Sequence, residues 1–387
     1  METLSIAVED SLTVQNPLTV QNPLTVQDSD SMASPQDVAV PECAAPSPTD
    51  VRATNALAHR ELLDAHIQQY AMQRAVSTGF TQLDNLLSGG LYPGLYTIGA
   101  MTSLGKTALV LQMADQIAQA GHDVLYVSLE MGMSELMARS ISRLTYLEAM
   151  KTGLGDIAAK SLWGVLDGSR YETYTPDEMS LIKTARERYD RFSGYINFLE
   201  GIGDMGVISI RDTVEKQIAA LHTTPVVVID YLQLLAPYKD RLSDKQSVDK
   251  NLTELKRLTR DLRIPLIVIS SYNRVGYDSK ASLSSNKESG LIEYSSDVVL
   301  GLQLQGMEQT GFDSDVAKAA IPRYVEAVVL KNRNGPVGDK IRFDYQPRFH
   351  YIREMSSGEH PALPGTPSFA NVSDAIVPSV SVGVKKR

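Results

Sequence analysis

The most constraining feature of this chain is a junction of three segments near residue 100. An apolar stretch, LYTIG (95–99), leads into AMTSLGKT (100–107), and ALVLQMADQIAQA (108–120) follows without a Pro or Gly. A strand that turns through a Gly-Lys-Thr loop into a helix gathers unpaired backbone N–H groups at one point, and these cradle phosphate oxygens. Ala100, Met101, Thr102, Ser103, Leu104, Gly105, Lys106 and Thr107 are therefore the candidate phosphate-binding loop. Lys106 would reach the β- and γ-phosphates, and the Thr107 hydroxyl would hold Mg²⁺. The pattern departs at its first position, where Ala100 stands in place of glycine.

Two further carboxylates fit the same chemistry. PVVVID (225–230) is an apolar strand ending in Asp230, and a strand-ending Asp paired with such a loop is a second Mg²⁺ ligand. VLYVSLEM (124–131) is the next strand after the loop's helix, and it brings Glu130 to the same sheet edge, where it could orient and deprotonate a water. Strands are predicted at 94–98, 124–128, 196–199, 226–229, 266–270, 298–304 and 326–331, with helices at 107–120, 134–144, 210–221 and 248–262 between them. Alternation of helices with continuous Val/Ile runs indicates an α/β fold, a mostly parallel sheet with helices on both faces. Residues 145–195 read as a mainly helical excursion in which Trp163 is expected to be a packing residue.

Charge and composition set the boundaries. The net charge is −9, but residues 1–50 hold eight carboxylates and no Lys or Arg, so the remaining chain is close to neutral. A nearly neutral body can carry a local basic channel, and the total charge neither supports nor excludes a nucleic-acid partner. Residues 12–28 repeat LTVQNP almost three times, and with the Pro/Ser/Ala-rich stretch that follows, 1–50 read as a disordered acidic tail. Residues 51–75 favour a linker helix whose apolar residues Leu57, Leu63, Ile67, Tyr70 and Ala71 form one stripe. Residues 354–387 read as a flexible C-terminal tail. The lone Cys43 excludes an internal disulfide framework, and acidic residues near the start argue against a secretory signal, so a cytoplasmic location is expected. No run of 18 apolar residues is present, and no membrane partner is expected.

Taken in order, STGF (77–80), QLD (82–84), GGL (89–91), GKT (105–107), SLEM (128–131), IDYLQLL (229–235), ESG (288–290), SSDVV (295–299) and K-RNGP (331–336) resemble the C-terminal motor domain of DnaB-type replicative helicases. The resemblance covers roughly residues 76–353, and the wording of 89–107 is also similar to helicase segments of mobile-element primase–helicases. It implies a RecA-like P-loop NTPase at 76–353 that uses ATP and Mg²⁺, assembles as a homo-oligomeric, hexameric ring, and moves 5′→3′ on single-stranded DNA. It further implies that residues 88–91 shape the nucleotide site. Lys331 and Arg333 match the pair that reaches into the neighbouring subunit's site, Arg333 as the arginine finger. The 51–75 helix matches a linker that docks on the adjacent subunit. A primase or a helicase loader is the protein partner implied, although residues 1–50 are too short and polar for the family's N-terminal helical domain.

One family position departs. After strand LIVIS the family carries a Gln that senses the γ-phosphate and couples it to DNA, and here Ser271 stands there, with Asn273 and Arg274 matching nearby. Serine is shorter by about two bonds and cannot make the same amide contacts. The departure bears on coupling more than on ATP binding. DNA is expected at two loops, one offering Lys239, Arg241 and Lys245 and the other Arg274, Lys280 and Lys287. Both are poor in aromatics, which favours phosphate contact over base stacking. Two other readings share the ATP chemistry: a RecA/RadA-like recombination ATPase, and a non-hydrolysing ATP-binding adaptor ring.

Overall fold

The computed structural model describes residues 75–201, 204–238, 242–272, 280–283, 289–359 and 361–364, together with Arg60, Leu63, Asp64, Ile67 and Gln68. The expected acidic tail, most of the linker helix and residues 365–387 lie outside the described residues. Of the linker stripe, Leu63 and Ile67 are described, and both are exposed.

Nine strands form one sheet: β1 (Gly94–Ala100), β2 (Val124–Ser128), β3 (Ile196–Glu200), β4 (Val226–Asp230), β5 (Pro265–Ser271), β6 (Val298–Leu304), β7 (Arg323–Asn332), β8 (Lys340–Gln346) and β9 (Tyr351–Glu354). Their order is β3-β2-β4-β5-β1-β6-β7-β8-β9. The six strands from β3 to β6 run parallel, and β7, β8 and β9 continue antiparallel. The inner parallel strands β1, β2, β4, β5 and β6 are mostly apolar because both faces are covered, whereas β3 at the edge exposes Asn197 and Glu200. Val226 and Val228 of β4, with Ile267 and Ile269 of β5, face helix α1 (Lys106–Gln119). Their neighbours Val227, Ile229, Leu266 and Val268 pack on the opposite face with α4 (Val207–Leu221) and α5 (Asp244–Asp261). The strand period of two therefore sends successive residues into two separate cores.

Between β2 and β3 run α2 (Met133–Thr152), short helices at Gly155–Ala158 and Leu162–Leu166, and α3 (Pro176–Ser193). Capping boxes start α3 (Thr175 with Glu178) and α5 (Ser243 with Gln246), each satisfying two orphan backbone donors. Trp163 is 63% exposed, so the packing expected of it is corrected. The short helix that carries it turns Gly164 and Val165 inward instead.

The strands β8 and β9 extend the sheet beyond the predicted set. Ile341, Phe343 and Tyr345 alternate with half-exposed or exposed residues, the pattern of a strand with one buried face. The Gln112 side chain closes the β9 edge: its Nε2 donates to the Ile352 carbonyl (2.8 Å) and its Oε1 accepts from the Ile352 N–H (2.9 Å). Glu354 accepts from the N–H groups of Gln82 and Leu83, and Met355 is buried, so the expected C-terminal tail begins with anchored residues.

Asp115 of α1 and Arg143 of α2 form an ion pair with 3% and 4% side-chain exposure. Removing one member of such a pair strands a charge without solvent. Asp115→Ala is expected to lower unfolding free energy by about 3–5 kcal/mol in chemical denaturation, while Asp115→Leu/Arg143→Leu recovers most of the loss. Equal losses in the single and double variants would refute this.

Candidate nucleotide site

The phosphate loop leaves the C-terminal edge of β1 beside β5 and β6. Thr102, Ser103, Gly105, Lys106, Thr107 and Ala108 line a cavity of about 390 Å³, the last three in the first turn of α1. Ala100, Met101 and Leu104 are buried in the core and hold the loop from behind. The departure at Ala100 has a structural explanation. That residue closes β1, paired with Ser271 and Leu302, and does not take a positive φ, so a methyl group costs nothing there. The left-handed positions are Ser103 (φ 66°) and Gly105 (φ 88°). A Cβ on Gly105 would lie 3.0 Å from the Tyr345 ring.

Lys106 Nζ donates to the carbonyls of Ala100 (3.0 Å) and Met101 (2.9 Å). Burial lowers its pKa from 10.5 to about 8, although Asp230 and Glu130 pull the other way. Asp230 is 2% exposed, accepts from the Tyr126 hydroxyl (3.2 Å) and is hydrogen-bonded by Thr107. Its carboxyl is raised by burial, partly offset by the Thr107 and Tyr126 hydrogen bonds, while the charge of Glu130 adds to the rise. Glu130 is exposed at the cavity wall. The turn presenting it is fixed by Ser128, whose hydroxyl donates to the Met131 carbonyl (2.6 Å), and by the Leu129 N–H, which donates to the Asp230 carbonyl (2.8 Å).

The Thr107–Asp230 pair fits a divalent cation of the Mg²⁺ kind. Among the described residues no group of three His, Cys, Asp or Glu could hold a metal. Mg²⁺ seldom needs such a cage, since it keeps waters and takes one or two protein oxygens plus phosphates.

Other cavity residues were not singled out by the sequence: Arg139, Tyr231, Tyr345 and His350. Arg323 joins them from β7, its Nη1 donating to the Ser103 carbonyl while its guanidinium sits 5.8 Å from the Tyr345 ring centre. His350 is kept neutral, its pKa lowered to about 3 by burial and by the charges of Arg139 and Arg143. Ser271 lines the cavity at the end of β5.

Lys331 and Arg333 do not join this site. Val298 and Val299 pair with Asn332 and Lys331, and Tyr96 pairs with Val298, which puts both cations at the N-terminal edge of β1 and β6. Lys331 is thus level with Thr97, and at least three residues of strand, roughly 10 Å, separate the two cations from Ala100. There Lys331 donates to the carbonyls of Glu293 and Ser296, and Arg333 lies 3.5 Å from Asp297. Residues 88–91 precede β1 at that same edge. Ser88 lines a separate cavity of about 290 Å³ with Tyr92, Tyr96 and Arg333, at the lead-in to β1 and away from the chain's own phosphate loop.

Of the DNA-facing candidates, Lys280 is exposed, and Lys245 is exposed in the first turn of α5 rather than in a loop, because Ser243 starts the helix before it. Lys239, Arg241, Arg274 and Lys287 lie outside the described residues. None of the described helices is long and apolar enough to cross a membrane.

Comparison with known proteins gives one consistent answer. The replicative DNA helicase DnaB of Leifsonia xyli subsp. xyli (strain CTCB07) is 32% identical over 292 residues, covering 73% of this chain and 56% of that protein. The chain spans about half the length of the curated relatives it matches. Among solved structures, an isolated ATPase domain superimposes with a TM-score of 0.63 at 22% identity, over 78% of this chain and all of that one. A DnaB-like replicative helicase, solved in a study of its interactions with primase, gives 0.61 at 22% identity, over 79% of this chain and 68% of that one. These two likenesses show a shared fold, and the model of the DnaB-like helicase C-terminal domain matches residues 75–354. The chain belongs to the DnaB-like helicase C-terminal domain family.

Proposed function

We propose that this chain is the ATP-driven motor of a replicative DNA helicase, working as a ring of identical subunits on single-stranded DNA. The observation that supports the reading is that the candidate ATP-site residues stand at opposite sheet edges. Lys106, Thr107, Glu130 and Asp230 gather at one edge, and Lys331 and Arg333 stand at the other. Repeated head to tail, one subunit's cations meet the next subunit's phosphate loop, a heterologous contact that closes into a ring when the rotation allows. Six subunits are the family expectation.

In that arrangement the loop N–H groups and Lys106 bind the triphosphate, with Thr107 and Asp230 holding Mg²⁺. The metal neutralises phosphate charge. Glu130 orients the attacking water and takes its proton, and Arg333 of the neighbour stabilises the charge that builds on the γ-phosphoryl group. Tyr345, which lines the cavity, and Arg323 beside it offer an aromatic ring and a cation suited to the nucleoside. Lys245 and Lys280, in the segments that follow β4 and β5, would meet DNA phosphates together with Lys239, Arg241, Arg274 and Lys287. The linker helix of residues 51–75 would join neighbouring subunits. A primase or loader would be a transient partner, since a DnaB-like neighbour was studied with primase.

The test is steady-state ATP hydrolysis with and without single-stranded DNA, followed by strand displacement on a forked duplex. Hydrolysis stimulated by DNA, with displacement, is expected. ATP binding without turnover would overturn the motor in favour of an adaptor ring, and turnover without displacement would favour a recombination ATPase.

Lys106 adds a pH signature. A bound triphosphate favours the ammonium, so ATP affinity should be level below about pH 8 and then fall up to about tenfold per unit as the free-state lysine loses its proton. Titration with a fluorescent ATP analogue from neutral to alkaline pH checks this. Lys106→Arg, whose charge persists, should flatten the profile, and an unchanged alkaline fall in that variant would refute the assignment.

A further inference from the structure

The family's γ-phosphate-sensing glutamine is absent at Ser271, yet a glutamine amide does reach this strand end from the neighbouring strand. Gln233 lies in the single 3-10 turn Leu232–Leu234 that follows β4. Its Nε2 donates to Ser270 Oγ (3.0 Å), and its Oε1 accepts from the Ser271 N–H (3.3 Å). Both ends of one amide are thus spent on the last two residues of β5. The backbone carrying it is pinned, because Leu232 is fully buried and Leu234 packs against the same core. Tyr231, two residues earlier, lines the nucleotide cavity, as Ser271 does.

The two elements joined by this amide are the roots of the two segments expected to meet DNA. One leaves the 3-10 turn toward Lys245, and the other leaves β5 toward Lys280. Resting on the motor reading above, we infer that Gln233 is the positioning residue that links the nucleotide cavity to both DNA-facing segments, doing from β4 what other family members do from position 271. A displacement of Ser271 by the γ-phosphate pulls on the amide, and the amide pulls on the segment after β4. With two directed hydrogen bonds the link transmits position as well as contact. A serine at 271 is then compatible with coupling, because it supplies a backbone N–H rather than a side-chain sensor.

The experiment measures coupling itself. Binding of a fluorescein-labelled oligo-dT to the full chain is followed by anisotropy in saturating non-hydrolysable ATP analogue and again in ADP. The variants are Gln233→Ala, Gln233→Met (similar length without the amide) and Gln233→Ala/Ser271→Gln, each with its melting temperature as the folding check. In the wild type the two nucleotides should give DNA affinities about tenfold apart, an ordinary strength for coupling between two sites. Loss of that ratio to about twofold or less in both single variants, with recovery in the double variant, is the expected result. A merely structural role would weaken binding in both nucleotide states alike and leave the ratio intact, which overturns the inference. A folded Gln233→Met that keeps the wild-type ratio overturns it as well, even if Gln233→Ala melts early. A wild type that binds no DNA, or binds it equally in both states, fails the motor reading itself, and the inference falls with it.

Discussion

Lys106→Ala should reduce ATP turnover by roughly 10³-fold or more, since even one neutral donor aimed at developing charge contributes 10²–10³ and this one carries a full charge in a desolvated loop. The variant should nonetheless fold. With its pKa depressed to about 8, the lysine's charged form is disfavoured in the folded chain, while the unfolded chain holds its proton up to about 10.5. Below pH 8 the buried ammonium therefore opposes folding, and that opposition fades between the two values as pH rises. Its two hydrogen bonds go to carbonyls of residues 100 and 101, which also belong to a strand end and its turn, so little else depends on them. The nucleotide-free variant should melt close to the wild type at neutral pH. The stabilisation that ATP confers on the wild type, which follows from binding to the folded state alone, should vanish. Thermal melts with and without ATP beside a turnover assay check both halves. A variant that still gains stability from ATP would remove Lys106 from phosphate binding.

How much of this was legible in the sequence depended on how far apart the cooperating residues lie. The parallel strands β1, β2, β4, β5 and β6 could be read because burial on two faces leaves uninterrupted apolar runs such as VVVI at 226–229. The pair β8 and β9 was missed because only alternate residues are apolar, Ile341, Phe343 and Tyr345 against Arg342 and Asp344. Glu130, Asp230 and the loop 100–107 each announce themselves within a few consecutive residues. Tyr345 and His350 line the same cavity, with Arg323 beside Tyr345, because β7 and β8 follow β6 in the sheet order, and Arg139 comes to it from α2; no local spacing carries either fact. The bridge through Gln233 belongs to the same class: the residue is visible in IDYLQLL, but its bonds to Ser270 and Ser271 come from the pairing of β4 with β5.

Arg333→Ala should lower turnover by roughly 10³–10⁵-fold, the range for a residue that meets transition-state charge from outside its own subunit. ATP binding should survive, because the phosphate loop lies at the other edge of the sheet. Among the described residues the Arg333 side chain pairs with Asp297, at 3.5 Å and with 53% of its side chain exposed. An exposed pair of that kind contributes about 0–1 kcal/mol, so turning the guanidinium toward a neighbour costs little. Asp297 keeps its other partners, the Leu95 N–H at 2.8 Å and Lys256. The decisive assay mixes two inactive proteins, Lys106→Ala and Arg333→Ala. Where a subunit with an intact loop meets one with an intact Arg333, the site is whole, and random mixing in a head-to-tail ring makes about a quarter of the interfaces so. Activity rising from background toward that fraction requires the two residues to act from different subunits. Sites that fire in sequence around the ring would return less than the independent-site fraction, because two broken interfaces flank every whole one. Mixed rings that form but recover no hydrolysis would put Arg333 outside the neighbour's site, and the head-to-tail division of the ATP site would have to be abandoned.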